Sequence, residues 1–430
     1  MNQVSSLERF GTRLRRHLLA QEGFQANEAV LFQTTEMVRA GMPQNRQTQS
    51  RSPLQDWSRK FNALALELFS LQFAHNGAYR TFCESREVSP ASLRDWREIP
   101  AVPATAFKEL ELSCIPEGQR TQVFFSSGTT EARPSRHFHN AASLQIYEAS
   151  LLAWFNRHFP GEALPTSSGC NSPALQLDDA RPSLASEGLA LTPSPEQAPH
   201  SSLVHMFQTL RRRLSFRGFS FTGLIGKDGS WRLDDSRTTE LLRAAIDRQE
   251  PVVLLGTAFS YVHLLDRMAE RGLKFQLPEG SRVLETGGYK GRSRSLPKSE
   301  LHKLITRRLG IPCSHIVCEY GMSELSSQAY DGTALPEAAR AHKTPARDWH
   351  GTERRLFHFP PWTRVQIISP ETGREVQAGQ TGLIRVFDLA NVYSVMAVQT
   401  EDLGARRGRG FELIGRAALA EPRGCSLMVS

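Results

Sequence analysis

Between residues 252 and 320 the chain alternates two periods. Val252-Val253-Leu254-Leu255 is a short apolar run with no polar break. A helical stretch from Phe259 to Arg271 follows and is closed by Gly272. Arg282 to Thr286 reads as another strand. Leu301, Leu304, Ile305 and Leu309 then recur at helical spacing before Gly310, and Ile316-Val317-Cys318-Glu319 closes the series. Continuous apolar strands are buried on both faces, and helices between them are the usual crossovers of parallel pairs. The alternation predicts an α/β fold with a mostly parallel sheet flanked by helices.

The flanking regions read differently. Residues 1–52 read as a peripheral segment. The N-terminal twenty residues are basic and loosely amphipathic, without the apolar run of a secretory signal. They fit a surface helix, with a transit peptide as the other reading. Ser52-Pro53-Leu54-Gln55 has the form of a capping box with proline at the first helical position. Trp57, Phe61, Leu64, Leu68 and Leu71 then mark one face of a long helix. A further helix is predicted from Asn140, with Leu144, Tyr147, Leu151, Trp154 and Phe155 on one face. Residues 160–200 are rich in Pro, Ser and Gly and read as an extended loop with room for one or two short strands. Gly226-Lys227-Asp228-Gly229 reads as a hairpin turn. After residue 355 the helical period vanishes. Residues 365–368, 383–387 and 411–414 read as strands, with a turn at Ser369-Pro370-Glu371-Thr372-Gly373. The expected division is a peripheral segment 1–52, an α/β core 53–355, and a small β-rich subdomain 356–430.

Composition excludes several classes. With 430 residues, 40% hydrophobic and 22% charged, the chain can bury a large core without disulfides. No apolar stretch is long enough to span a bilayer. Six cysteines without C-x-x-C spacing are expected to be free thiols, as in a reducing cytoplasm. The charge of +8 comes from scattered short clusters, without the aromatic interleaving of a nucleic-acid surface. Nucleic acid is not an expected partner. A basic surface also suits a polyanionic substrate such as ATP.

The strongest local chemical signal is Phe124-Phe125-Ser126-Ser127-Gly128-Thr129-Thr130. A strand feeds hydroxyl side chains around a glycine, a loop able to turn backbone N–H groups and hydroxyls towards anionic oxygens. Arg133, Arg136 and His137 follow and would add positive charge. No Walker or dinucleotide fingerprint is present. Taken alone, the run reads more readily as an ordinary polar loop.

Three later segments change the balance. Glu285-Thr286-Gly287-Gly288-Tyr289-Lys290-Gly291-Arg292 and Glu319-Tyr320-Gly321-Met322-Ser323-Glu324-Leu325 each follow a strand. Thr400-Glu401-Asp402-Leu403-Gly404 precedes Leu413-Ile414-Gly415-Arg416. In this order they resemble the adenylate-forming superfamily, and within it the acyl-protein synthetase (LuxE-type) family. Ser201-Ser202-Leu203-Val204-His205-Met206 and Arg423-Gly424-Cys425-Ser426-Leu427 strengthen the resemblance, which covers roughly residues 55–430.

The resemblance implies roles. Ser126, Ser127, Gly128, Thr129 and Thr130 would hold the β- and γ-phosphates of ATP. Gly287, Gly288 and Gly321 would let backbone approach the nucleotide, with Lys290 nearby. Tyr320 would lie against adenine, Asp402 would accept the ribose hydroxyls, and Arg416 would support ribose and phosphate. Ser323 would bond the α-phosphate or acyl carboxylate, and Glu324 would hold Mg²⁺. Gly256, Thr257, Ala258 and Phe259 would line the acyl pocket. His205 reads as a core histidine rather than a catalytic group. The superfamily's usual lysine after the phosphate loop is replaced by Arg133 and Arg136. The chain stops fourteen residues after Arg416, so the superfamily's mobile C-terminal lid is expected to be absent. Cys425 would then receive the acyl group as a thioester, helped by Arg423 and Arg416. The function implied is ATP-dependent activation of a carboxylic, chiefly fatty, acid. A reductase-like or acyltransferase partner would take the acyl group onward. Transfer to coenzyme A or a carrier protein, and a degenerate nucleotide-binding protein, stay as alternatives.

Overall fold

Strand Val252–Thr257 pairs in parallel with Arg282–Thr286, which pairs in parallel with Ile316–Tyr320. On the other side it pairs with Glu187–Ala190, and that strand with Phe219–Phe221, both in parallel. The computed structural model describes residues 5–22, 53–126, 133–159, 186–288, 296–331 and 355–417. It is a mixed α/β fold built on a 12-stranded sheet.

Side chains alternate across the parallel strands, and each face has its own helices. Leu254, Val283 and Ile316 pack with Tyr261, Leu265, Leu301 and Ile305. These come from helices Ala258–Glu270 and Lys298–Leu309. Val253, Leu255, Leu284 and Val317 face the other way, onto Tyr147, Leu151, Phe155 and Phe207. Those belong to helices Ala141–His158 and Ser202–Arg213. The first of these two helices starts at a capping box of Asn140 with Ser143, at the expected residue.

The strands after residue 355 do not stand apart. Ile316–Tyr320 pairs antiparallel with Ala329–Asp331, then Phe357–His358, Gly410–Arg416, Ala397–Arg407, Thr381–Asp388 and Thr363–Ile368 follow in order. The boundary expected at 355 therefore falls inside one sheet. Strand Ala397–Arg407 was not anticipated as a strand, because its polar middle hides the alternation. The early pair Val102–Pro103 joins it in parallel, so the first and last quarters of the chain share a ladder.

One other expectation is corrected. Helix Ser6–Glu22 is no peripheral element: Leu7, Phe10, Leu14 and Leu18 are buried in the main core. Ser5 and Glu8 form a reciprocal cap at its start, and the approach to the next layer is close. A Cβ on Gly11 would lie 3.0 Å from Ile146 Cδ1. The arginines Arg13, Arg15 and Arg16 masked the apolar face, whose spacing is nonetheless helical. Within residues 160–200, read as loop with room for one or two short strands, Glu187–Ala190 is one such strand, and it is internal to the sheet. Gly188 is needed there because the Phe219 ring occupies the space of its Cβ, and a glycine-bearing four-residue strand gives little sequence signal.

The hairpin turn at 226–229 is present, joining Gly223–Ile225 to Trp231–Leu233, with Gly229 at φ +72°. Along helix Pro53–His75, Phe61 and Leu68 are buried, and Leu64 and Leu71 pack partly buried beside them. Its proposed cap, Ser52, lies outside the described residues. No helix among the described residues is long and apolar enough to cross a membrane.

If the N-terminal helix is part of the core, Phe10→Ala should cost about 3–5 kcal/mol. Chemical denaturation should show this as a lower midpoint. A midpoint equal to that of the unsubstituted protein would mean that the helix is dispensable.

Candidate active site

Parallel pairing sets Thr257, Thr286 and Glu319 side by side at the ends of their strands. The loops that follow leave from one edge, the carboxyl edge, where open α/β sheets bind ligands. Gly256-Thr257-Ala258-Phe259, Gly287-Gly288 and Tyr320 to Glu324 are thus gathered by backbone register alone.

The antiparallel half brings in Asp402. The Tyr320 hydroxyl donates to Asp402 Oδ2 at 2.9 Å. The Tyr320 ring is buried, edge-on to Phe357, Phe359 and Phe411. Asp402 faces Arg416 across the ladder, while the Arg416 guanidinium binds Glu401 at 2.8 Å. Burial raises the Asp402 carboxyl, and the Tyr320 hydroxyl and Arg416 oppose that rise.

Ser323 and Glu324 lie in the loop after Tyr320. The Ser323 hydroxyl donates to Glu324 Oε2 at 3.3 Å, and both residues are buried. Burial raises the Glu324 carboxyl, opposed by hydrogen bonds from Ser135 and Ser323. Ser135 in turn closes the base of the phosphate loop: its N–H donates to Ser126 Oγ at 2.9 Å, and Ser126 N–H donates back to its carbonyl at 3.2 Å. One residue, Ser135, therefore links the root of the phosphate loop to Glu324.

His137 fixes the same junction. It stands on strand Arg136–His139, paired with Gln122–Phe125. Its Nδ1 lies 2.7 Å from the Ser323 carbonyl oxygen, which can only accept, so Nδ1 carries the proton. Burial lowers its pKa to about 4, so the ring is neutral. His137 thus adds no positive charge to the phosphate loop, contrary to expectation; it is a clamp. Arg133 and Arg136 pair with Glu109 and Glu111. Asn391 Nδ2 holds the Glu324 carbonyl at 2.9 Å, and Asp388 accepts from Ser326 N–H and the Ser327 hydroxyl.

The remaining expected residues divide as follows. Gly287 has φ +65°, a backbone reason for glycine, and Gly288 is exposed with open space at its Cβ position. A Cβ on Gly321 would sit 2.3 Å from Glu319 Oε1, so this glycine first makes room for Glu319. The Thr257 hydroxyl accepts from Ser260 N–H at 3.1 Å, capping helix Ala258–Glu270. Its side chain is committed to that cap, Ala258 is buried, and Phe259 lies half-buried against His263. His205 pairs with Glu148 at 3.3 Å beside Phe124 and Tyr147, in keeping with a packing role. Ser127, Gly128, Thr129, Thr130, Lys290 and Cys425 lie outside the described residues. Cys83, Cys114, Cys313 and Cys318 are free thiols.

Glu319 was missed as a site residue. It is buried, takes the Thr286 hydroxyl, and has its carboxyl pushed up to about 7 by burial. Its signal was an acidic residue ending an otherwise apolar parallel strand.

The chain is similar to known proteins in sequence and in fold. Residues 224–430 match the family described as acyl-protein synthetase, LuxE. The resemblance read from the motifs therefore holds. The chain is 20% identical over 378 residues to the long-chain-fatty-acid–luciferin-component ligase of Aliivibrio fischeri, covering 85% of this chain and 87% of that protein. Its Vibrio harveyi counterpart is 20% identical over 416 residues, covering 94% and 95%. In fold the chain is similar to 2-hydroxyisobutyryl-CoA ligase in complex with 2-HIB-AMP and CoA. That likeness has a TM-score of 0.55 and 13% identity, and it covers 83% of this chain and 69% of the ligase. The mixed α/β fold is that of the adenylate-forming enzymes.

Glu319 gives a pH test. Its raised carboxyl means the folded state holds a proton that the unfolded chain releases above about pH 4.5, so stability falls as pH rises towards 7. Glu319→Gln removes that loss. The variant should gain on the parent protein between pH 5 and 7 and keep a constant lead above about 7 in paired denaturation curves. A gap that does not change with pH would refute the burial argument.

Proposed function

We propose that the protein activates a carboxylic acid with ATP as an acyl adenylate and passes the acyl group to Cys425 as a thioester. The observation that carries the reading is one junction: Ser126 at the root of the phosphate loop, Ser135, Glu324 and Ser323 in hydrogen-bonded sequence, beside Tyr320 on Asp402. The ligase names of the relatives support an acid as substrate and a long-chain fatty acid as the first to try.

ATP is a substrate in this scheme. Adenine would lie by the Tyr320 ring. Asp402 takes the Tyr320 hydroxyl on one oxygen and retains lone pairs for ribose hydroxyls. Ser126 to Thr130 would receive the β- and γ-phosphates, and Ser323 the reacting carboxylate or α-phosphate. The substrate carboxylate attacks the α-phosphorus, the bond to the bridging oxygen breaks, and pyrophosphate leaves.

Glu324 fits a Mg²⁺ ion. It is a buried hard-oxygen donor whose hydrogen-bond partners are hydroxyls rather than a lysine or arginine, at the root of the phosphate loop. When bound there, Mg²⁺ neutralises developing charge on the phosphates. The Glu324 position is held by Asn391 on its carbonyl and by the His137 clamp on Ser323.

In the second half-reaction the Cys425 thiolate attacks the acyl carbonyl, the thioester forms, and AMP leaves with the electron pair of the cleaved anhydride bond. Arg423 and Arg416 would favour the thiolate. A reductase-like or acyltransferase protein would then accept the acyl group. The free thiols suit a reducing cytoplasm.

Pyrophosphate exchange over a panel of fatty, aromatic and amino acids tests the first half-reaction. Acid-dependent exchange is expected, and none with any acid would end the proposal. Cys425→Ala should keep exchange and lose hydroxylamine-labile acyl label. Label retained on that variant, or thioester formed only with added coenzyme A, would place the acceptor elsewhere. Asp402→Ala should raise the KM for ATP by about tenfold or more, the scale of a lost charge-assisted hydrogen bond of about 1.5–3 kcal/mol. Tyr320→Phe, which keeps the ring, should show a smaller rise.

A further inference from the structure

Glu285 and Cys318 point to the sheet face opposite Thr286 and Glu319, because neighbours along a strand alternate. There they meet His302 from helix Lys298–Leu309. Cys318 Sγ is 3.0 Å from Glu285 Oε2 and 3.6 Å from His302 Nε2, and that nitrogen is 3.4 Å from the same carboxylate oxygen. All three side chains are buried, with their donor atoms within 4.8 Å of one another.

We propose that Glu285, His302 and Cys318 form a binding site for a divalent transition-metal ion, zinc in the first place, separate from the candidate active site. One sulfur, one imidazole nitrogen and one carboxylate oxygen are a donor set for a borderline-soft ion. Zinc bonds of about 2.0–2.3 Å in tetrahedral array put donor atoms about 3.4–3.6 Å apart. Two of the three observed separations match, and the sulfur–oxygen pair need only open slightly. Three protein donors leave one position for water.

The surroundings fit an outer shell. Lys298 Nζ lies 3.2 and 3.0 Å from the two Glu285 oxygens and can stay on the one that does not bind metal. Arg355 Nη1 lies 3.6 Å from Cys318 Sγ and pairs with Asp331, so it can donate to a metal-bound thiolate. Two anionic donors balance the ion, Asp331 balances Arg355, and Lys298 reaches solvent. Binding exchanges the Cys318 S–H bond for a sulfur–metal bond and releases one proton to solvent for each ion bound. The ion would tie strand Arg282–Thr286 to helix Lys298–Leu309 and strand Ile316–Tyr320, anchoring both ends of the segment that carries Gly287 and Gly288.

The test uses the full chain from zinc-supplemented growth. About one zinc per chain should survive dialysis against a weak chelator. After stripping, Co²⁺ should bind at one equivalent, with tetrahedral visible bands and a near-ultraviolet sulfur-to-cobalt band. Cys318→Ser should abolish that band and His302→Ala should weaken Co²⁺ binding, whereas Cys313→Ser, at an exposed thiol nearby, should change neither. Calorimetry in two buffers should report one proton released per ion. If the variants do not fold, the parent protein still decides: its denaturation midpoint should rise on zinc addition to the stripped form. No retained zinc, no cobalt band and no midpoint shift would mean that Lys298 and Arg355 alone balance the cluster. None of these readings depends on ATP or an acid substrate.

Discussion

A parallel ladder leaves little freedom about where its loops go. Once Val252–Thr257, Arg282–Thr286 and Ile316–Tyr320 pair in register, their carboxyl ends share one edge. Every candidate group on those loops is then placed within reach of the others before any side chain makes a contact. The antiparallel strands extend the same sheet and return Asp402 to Tyr320, a contact between residues eighty-two positions apart. The hairpin that roots the phosphate loop reaches this edge through His137 and Ser135. The site is thus a product of backbone register first and of side-chain hydrogen bonds second.

Burial then sets the chemistry of what has been gathered. Glu319, Glu324 and Asp402 are carboxyls raised by loss of water, and their partners are hydroxyls more than cations. Such groups are poised to meet a cation or a donor that arrives with a ligand. On the opposite sheet face Glu285 is met by Lys298, so two successive residues of one strand, Glu285 and Thr286, serve different environments. His137 shows the same principle from the other side: it stays neutral because burial penalises its charge, and it works as a donor to one carbonyl.

Much of this was legible in the residues. The short runs at 252–255, 282–286 and 316–319 mark the parallel strands, and the glycines at 272 and 310 mark helix ends, because those signals are local. Asn140 announced its helix for the same reason. A short strand is allowed for within 160–200, but its place at Glu187–Ala190 is not legible, because its glycine answers to the Phe219 ring, a neighbour far along the chain. The N-terminal helix was read as peripheral because its arginines dominate its composition, while its four buried residues carry the packing. Glu319 was visible as a motif residue, but its role depends on depth, which sequence spacing does not report.

The stretch that matches the acyl-protein synthetase family begins at residue 224, and the sheet does not respect that limit. Strands Glu187–Ala190 and Phe219–Phe221 lie outside the stretch yet complete its parallel edge. Helices Ala141–His158 and Ser202–Arg213 cover Val253, Leu255, Leu284 and Val317 from outside it as well. A polypeptide cut at 224 would present a bare apolar sheet face to water and an unpaired strand edge to other chains, the two ingredients of aggregation. The stretch from residue 224 onward is therefore not an autonomous unit: its sheet is completed and covered by the part of the chain before it.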